Sequence, residues 1–156
     1  MRIWYGGRQM DLGEIAQGVL EFTGRQFTWF DNAMVVVLAD EVRVYMEYLE
    51  EKDELYLYSH VASIPEERFE RYAVTLLTAN FFGRGTGGSA ILAYDAEECQ
   101  VVLWDRLPLR ILDSDTFKKH FSDLYLSKLY WSDRMRRDLL GDDSDECILQ
   151  SILLGV

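Results

Sequence analysis

A glycine-rich run is the part of the sequence whose spacing comes closest to a chemical motif. Residues 83–88 (GRGTGG) satisfy GxGxxG, a spacing that lets a backbone approach a pyrophosphate at a helix N-terminus. Here the run leaves a predicted helix and enters a predicted strand, so no helix N-terminus faces a ligand, and the run contains no lysine. We expect a flexible connection whose glycines adopt positive φ, and nucleotide binding is the alternative interpretation.

The other residue types that carry chemistry are scattered along the chain. His60 and His120 are predicted on a strand and on a helix face, without a cysteine or second histidine at metal-ligand spacing, so a structural role is expected for both. Cys99 and Cys147 form no CxxC pair, which is typical of inert thiols in a reducing compartment. No GxSxG, HExxH or Walker lysine motif occurs. The sequence therefore predicts no metal, no cofactor and no enzyme, and an active site without a motif stays open.

The charge balance narrows the classes of partner. Lys and Arg number 16 against 27 Asp and Glu, a formal net charge of -11. Nothing in this balance would neutralise a nucleic-acid backbone or an anionic membrane. Because no apolar run resembles a signal peptide or a membrane span, we expect a cytoplasmic protein. The acidity suits a partner with basic residues, and simple solubility explains it equally well.

The periodicity of apolar residues predicts the first half of the fold. Asp11, with Glu14 three residues later, predicts a capped helix that ends at Gly24. Period-two alternation and polar breaks then predict three antiparallel strands, at 34–38, 42–48 and 55–62. Tyrosines on the second and third strands lie opposite the Val, Met and Leu face, which indicates either a second helix layer or a surface that binds a partner.

The second half of the chain is predicted to contain two longer helices with two strands between them. Ser63 and Glu66 have capping-box spacing, and a helix follows from about residue 65 to 82. Two further strands are predicted at 89–94 and 100–107, and then a helix capped by Asp113 or Ser114 that ends near Gly141. The order α-β-β-β-α-β-β-α groups the strands in hairpins, which predicts an α+β fold with an antiparallel sheet packed by helices. Residues 1–140 form the predicted domain, and 141–156 an acidic and apolar tail.

A block in the middle of the chain has a fairly specific pattern. It consists of residues 76–88 (LLTANFFGRGTGG), a hairpin, the LPL of residues 107–109 and an Asp that opens the last helix. This pattern resembles the Tir-chaperone family, the class I chaperones of bacterial type III secretion. The resemblance covers about residues 65–135, and the order of elements extends it. The tail, the turn at 96–98, which lacks the common glycine, and the aromatic lead-in at 1–9 depart from the family pattern.

The resemblance implies a bacterial cytoplasmic homodimer, without cofactor or catalysis, that binds the N-terminal segment of a secreted effector and keeps it soluble and secretion-competent. The residues implied at the dimer interface are Phe69, Tyr72, Leu76, Asn80 and Ile91. The residues implied in effector binding are Ile15, Val19, Trp29, Val35, Val37, Tyr45, Tyr56 and Tyr58. The alternatives are a regulator that sequesters a secretion regulatory protein, a small nucleotide-binding or enzymatic domain, and a stand-alone structural domain.

Overall fold

The first helix begins and ends where its capping residues predict. In this computed structural model, the Asp11 carboxylate accepts a hydrogen bond from the Glu14 amide at 2.8 Å, and the Glu14 carboxylate accepts one from the Asp11 amide at 3.0 Å. Gly24 adopts the left-handed conformation, with φ 67°, and its N–H donates to the Leu20 carbonyl. The predicted capping box and C-cap are therefore confirmed.

The structure describes the backbone of residues 10–154 and the side chains of residues 10–139 apart from position 40. The elements follow the predicted order and are α1 (Leu12–Thr23), β1 (Ala33–Val37), β2 (Arg43–Leu49), β3 (Glu54–Ser63), α2 (Glu66–Asn80), β4 (Ile91–Asp95), β5 (Gln100–Pro108) and α3 (Ser114–Leu154). The α+β prediction is confirmed. None of the described helices is both long and apolar enough to span a membrane.

The five strands form one antiparallel sheet in the order β1-β2-β3-β5-β4. Because side chains alternate along each strand, the sheet has two distinct faces. On the inner face Val36, Val44, Leu57 and Leu103 are fully buried. Helix α3 packs on β3 and β5, α1 packs on α3, and α2 packs on β4. The hydrophobic core thus lies between the inner face and the helices.

Helix α3 supplies the largest core side chains. Its predicted apolar positions Phe117, Phe121, Leu124, Trp131 and Met135 are all buried. Burying one side chain of this size contributes about 1.5–3 kcal/mol to stability. These positions, spaced at helical intervals, fix α3 against the sheet.

The predicted boundaries of α2 and α3 need correction. Ser63 stays paired with Gln100 in the sheet, so Pro65 is the N-cap of α2 and no side chain caps it. Helix α2 ends at Asn80, since Phe82 adopts a left-handed conformation with φ 55°. Helix α3 continues through Gly141, because one interior glycine costs only about 1 kcal/mol and no proline follows it.

Candidate partner-binding surfaces

The sheet face opposite the helices, here called the outer face, carries an apolar row that crosses all five strands. The strand register aligns Val35 with Tyr45, Tyr45 with Tyr58, Tyr58 with Trp104, and Trp104 with Ile91. Val35 and Ile91, at the two ends of the row, are exposed, and the three aromatic residues between them are half-buried. An apolar row of this kind marks a surface on which another chain can lie.

The aromatic rings of the outer face lie stacked along the sheet. Tyr45 and Tyr58 have ring centroids 5.1 Å apart and planes within 12° of parallel. His60 stacks on Tyr45 at 5.3 Å, and Tyr56 stacks on Trp104 at 6.1 Å. Stacked rings lose little conformational freedom when a ligand binds, so this face is preorganised for contact.

Hydrogen bonds to carboxylates hold two of these rings. The Tyr58 hydroxyl donates to Glu47 at 2.6 Å, and the Tyr56 hydroxyl donates to Glu54 at 3.0 Å. Burial, followed by the hydrogen bond to Glu47, raises the pKa of Tyr58 well above its usual range. The Tyr58 hydroxyl therefore stays a neutral donor at physiological pH.

Strand β1 gives the outer face an open edge. Among the strands that the structure describes it pairs with β2 alone, and it lies at one end of the sheet. Val35 and Val37 are exposed on it, and Phe30, in the tight turn that leads into it, is 81% exposed. The edge of such a strand presents backbone groups that an extended chain can pair with.

A second apolar surface, here called the helical groove, lies between α2, the glycine run and α3. Its volume is about 720 Å³, and Val74, Phe81, Leu126, Tyr130 and Trp131 line it. On the exposed side of α2 beside it, Val74 is 72% and Leu77 71% exposed. Large apolar side chains this exposed in a cluster are unusual on a monomer.

The glycine run is held tightly between the helices. The Gly85 amide donates to the Ala79 carbonyl at 2.9 Å, and the Trp131 indole donates to the Gly85 carbonyl at 2.8 Å. A Cβ on Gly85 would lie 2.7 Å from Ala79 atoms. Gly83 and Gly87 adopt the predicted positive φ, at 64° and 71°. The predicted connection with glycines at positive φ is therefore present and is packed between the helices, and nucleotide binding is not favoured.

His120 belongs to a polar cluster with Ser89 and Asp105. Its Nδ1 lies 2.6 Å from the Asp105 carboxylate and 2.9 Å from the Ser89 hydroxyl, which itself donates to Asp105 at 2.8 Å. A hydrolytic triad needs the serine and the carboxylate on opposite nitrogens of the imidazole. Here both contact the same nitrogen, so the cluster joins α3 to β5 and to the segment that leads into β4. The expected structural role of His120 fits this arrangement.

The five residues implied at the dimer interface differ in how far they are buried. Tyr72 and Leu76 are buried in the core, and Phe69 stacks on Tyr94 at 4.3 Å. The Asn80 side chain pairs with the backbone N–H and carbonyl of Leu92, at 2.8 Å each, whereas Ile91 is exposed. Tyr72 and Leu76 are therefore unavailable to a partner, because the apolar stripe that they share is the core face of α2.

The exposed apolar residues of α2 form a different stripe. Val74 and Leu77 recur at helical spacing and point away from the core, and Phe81 continues their line just after the helix. The residues implied at the dimer interface on this helix do not belong to this stripe. They lie on the opposite face of α2, which packs on the core and on β4, and they are Phe69, Tyr72, Leu76 and Asn80.

The predicted effector-binding residues lie in three different environments. Ile15 and Val19 are fully buried between α1 and the core, so they are unavailable to a partner. Trp29 is half-buried, and its indole donates to the Leu12 carbonyl at 2.8 Å. The remaining five residues lie on the outer face, and they are Val35, Val37, Tyr45, Tyr56 and Tyr58.

Trp104 is missing from the predicted contact residues although it belongs to the apolar row of the outer face, between Tyr58 and Ile91. Val102, Trp104 and Arg106 alternate with the buried Val101, Leu103 and Asp105 on β5. That alternation is the signal that could have identified Trp104. Among the side chains that the structure describes, no three His, Cys, Asp or Glu residues are grouped to hold a metal ion.

The sequence matches one family model. The model of the Tir chaperone protein (CesT) family matches residues 15–126, from α1 into α3, and so includes every strand. No curated protein matches the chain.

Solved structures share the fold at low identity. A chain of the HopA1-SchA chaperone-effector complex matches with a TM-score of 0.60 and 10% identity, covering 80% of this chain and 98% of that chain. A chain of the heterodimeric ExoU-SpcU complex from the type III secretion system of Pseudomonas aeruginosa has a TM-score of 0.59 and 18% identity. The match covers 77% of this chain and 93% of that chain. YbjN from E. coli, a candidate transcription regulator, has a TM-score of 0.60 and 12% identity. The match covers 84% of this chain and 96% of YbjN.

Proposed function

Because the chain belongs to the Tir chaperone protein (CesT) family, we propose that it binds an extended N-terminal segment of a type III secretion effector. The observation that carries this proposal is the apolar row across the outer face, from Val35 to Ile91. SchA and SpcU are similar folds solved in complexes with HopA1 and ExoU. By analogy, this chain keeps a cytoplasmic effector segment soluble and competent for secretion.

An extended segment can use the outer face and the β1 edge together. One part of its backbone would pair with the free edge of β1, while another part crosses the outer face and rests on the rings of Tyr45 and Tyr58. Ordering a free chain costs about 2–5 kcal/mol or more, which many moderate contacts must offset. Preorganised rings keep the chaperone's own share of that cost small. We therefore expect long, sequence-tolerant contacts.

The helical groove is the surface that we assign to dimerisation. Val74, Leu77 and Phe81 form an exposed apolar stripe, and the groove beside it has a volume of about 720 Å³. Pairing two copies through this surface would remove the stripe from water. This burial would stabilise the dimer by about 25 cal/mol per Å² of apolar area. The outer faces of both copies would stay free for one effector segment.

Co-purification tests the proposed function. The chain is coexpressed with N-terminal segments of the type III secretion substrates of the same organism, and each complex is recovered through a tag on the segment. The double variant Val35→Asp and Tyr56→Asp places two charges on the outer face and should abolish recovery. The matched control is Ile111→Asp, an apolar residue that is 74% exposed outside both surfaces, and it should retain the segment. Equal recovery of both variants would refute the assignment of the outer face.

A further inference from the structure

A polar pocket lies beside the outer face, at the start of β2. Its volume is about 330 Å³. The lining residues that matter to its chemistry are Glu41, Arg43, Tyr45, Ser59, His60 and Lys128. Three of them, Arg43, His60 and Lys128, bring nitrogen groups that can carry positive charge. In a chain with a net charge of -11, this concentration of basic groups is unusual.

An irregularity in β3 positions the lysine. The pairing of β3 with β5 shifts register between His60 and Ala62. The Ser132 hydroxyl donates to the Val61 carbonyl at this irregularity, at 2.8 Å, and the Lys128 ammonium donates to the same hydroxyl. β-Bulges commonly redirect groups next to binding sites. Here the shift lets α3 approach the sheet and hold Lys128 at the pocket.

Among the described side chains, no carboxylate forms an ion pair with the basic groups of the pocket. Neither Arg43 nor Lys128 forms an ion pair with a described side chain, and Glu41 lines the pocket without pairing to either. Burial lowers the pKa of Lys128. An anion entering the pocket would stabilise the ammonium form, so the electrostatics favour a negatively charged ligand.

We propose that this anion pocket binds the carboxylate of an acidic side chain in the effector segment and thereby fixes the register of that segment on the outer face. The inference rests on the proposed function. Tyr45 belongs to both the pocket and the apolar row, so a segment on the row passes the pocket. A guanidinium such as that of Arg43 matches a carboxylate through two parallel hydrogen bonds. The Glu41 carboxylate also lines the pocket and repels a ligand that carries more than one negative charge. A carboxylate, with a single charge, is therefore preferred over phosphate.

The first arm of the test needs no effector. Sodium acetate and sodium phosphate are titrated separately into the full chain at constant ionic strength, and the imidazole resonances of His60 are followed by NMR. We expect saturable shifts with acetate that disappear in Lys128→Met and in Arg43→Gln. The matched control Lys52→Met changes an exposed lysine in the turn before β3 and should leave the titration unchanged. Shifts that do not saturate, or that persist in both variants, overturn the pocket. Tighter binding of phosphate than of acetate overturns the carboxylate assignment.

The second arm uses an effector segment that co-purifies with the chain. Each Asp and Glu of the segment is changed to Asn or Gln in turn. One such change should weaken binding to the wild-type chaperone about tenfold to a hundredfold, the usual effect of losing a charge-assisted hydrogen bond. The same change should have no effect in the double variant Arg43→Gln and Lys128→Met, because both basic partners of the carboxylate are then gone. If the segment binds but none of its Asp or Glu substitutions shows this pattern, the proposed role of the pocket in effector binding is refuted. The proposed function then stands. If no segment binds, the acetate titration still decides whether the pocket exists.

Discussion

Substitution of Gly85 by alanine tests whether the glycine run is packed closely on helix α2. The new Cβ would lie 2.7 Å from the Cα and Cβ atoms of Ala79, closer than folded proteins allow. Forcing an extra carbon into such a site costs about 1–3 kcal/mol. Displacing the run also weakens the bond from Trp131 to the Gly85 carbonyl, worth about 1 kcal/mol. We therefore expect a loss of about 2–4 kcal/mol in the free energy of unfolding.

Gly88→Ala is the matched control for this prediction. Its Cβ would meet the Asp123 carboxylate at 3.5 Å, an ordinary van der Waals distance, so its cost should be small. Urea denaturation at one fixed protein concentration measures both variants. With a slope of about 2 kcal/mol per molar urea, Gly85→Ala should lower the midpoint by about 1–2 M. Equal midpoints for the two variants would refute the close packing of Gly85 on Ala79.

The remaining predictions concern the helices and the alternative function. Leu77→Asp should leave the protein folded and prevent the proposed dimer from forming, so that light scattering reports a mass near 18.2 kDa. A monomeric wild-type chain would contradict the assignment of the groove to dimerisation. Leu76→Asp should unfold the chain, because an unpaired charge in the core costs several kcal/mol, and a folded variant would contradict its burial. Calorimetry with ATP and with NAD should show no binding heat, and micromolar affinity that Gly85→Val abolishes would restore the nucleotide interpretation.

Local sequence signals determine most of the fold. The Asp11 capping box, the alternation in β2 and the spacing of Phe117 and Phe121 each depend on residues close together in the chain, so the sequence predicts them correctly. The end of α3 is mispredicted, because glycine alone does not stop a helix.

The candidate site depends more on long-range pairing. Five of the predicted effector-binding residues lie on the outer face, because alternation along a strand identifies a face. The family resemblance implied Ile15 and Leu76 at partner surfaces, whereas both are buried in the core. Periodicity identifies the apolar face of a helix and does not tell whether that face meets the core or a partner. The cluster of Ser89, Asp105 and His120 joins residues up to 31 positions apart and has no local signature.

Hydrogen exchange on a purified complex shows whether an effector segment pairs with β1. Exchange into the backbone amides is followed by mass spectrometry, with and without a bound effector segment. We expect slower exchange in β1, residues 33–37, because the segment pairs with its free edge, and little change in α1, whose inward face is already buried. Protection confined to α2 and the helical groove, with β1 unchanged, would contradict this pairing.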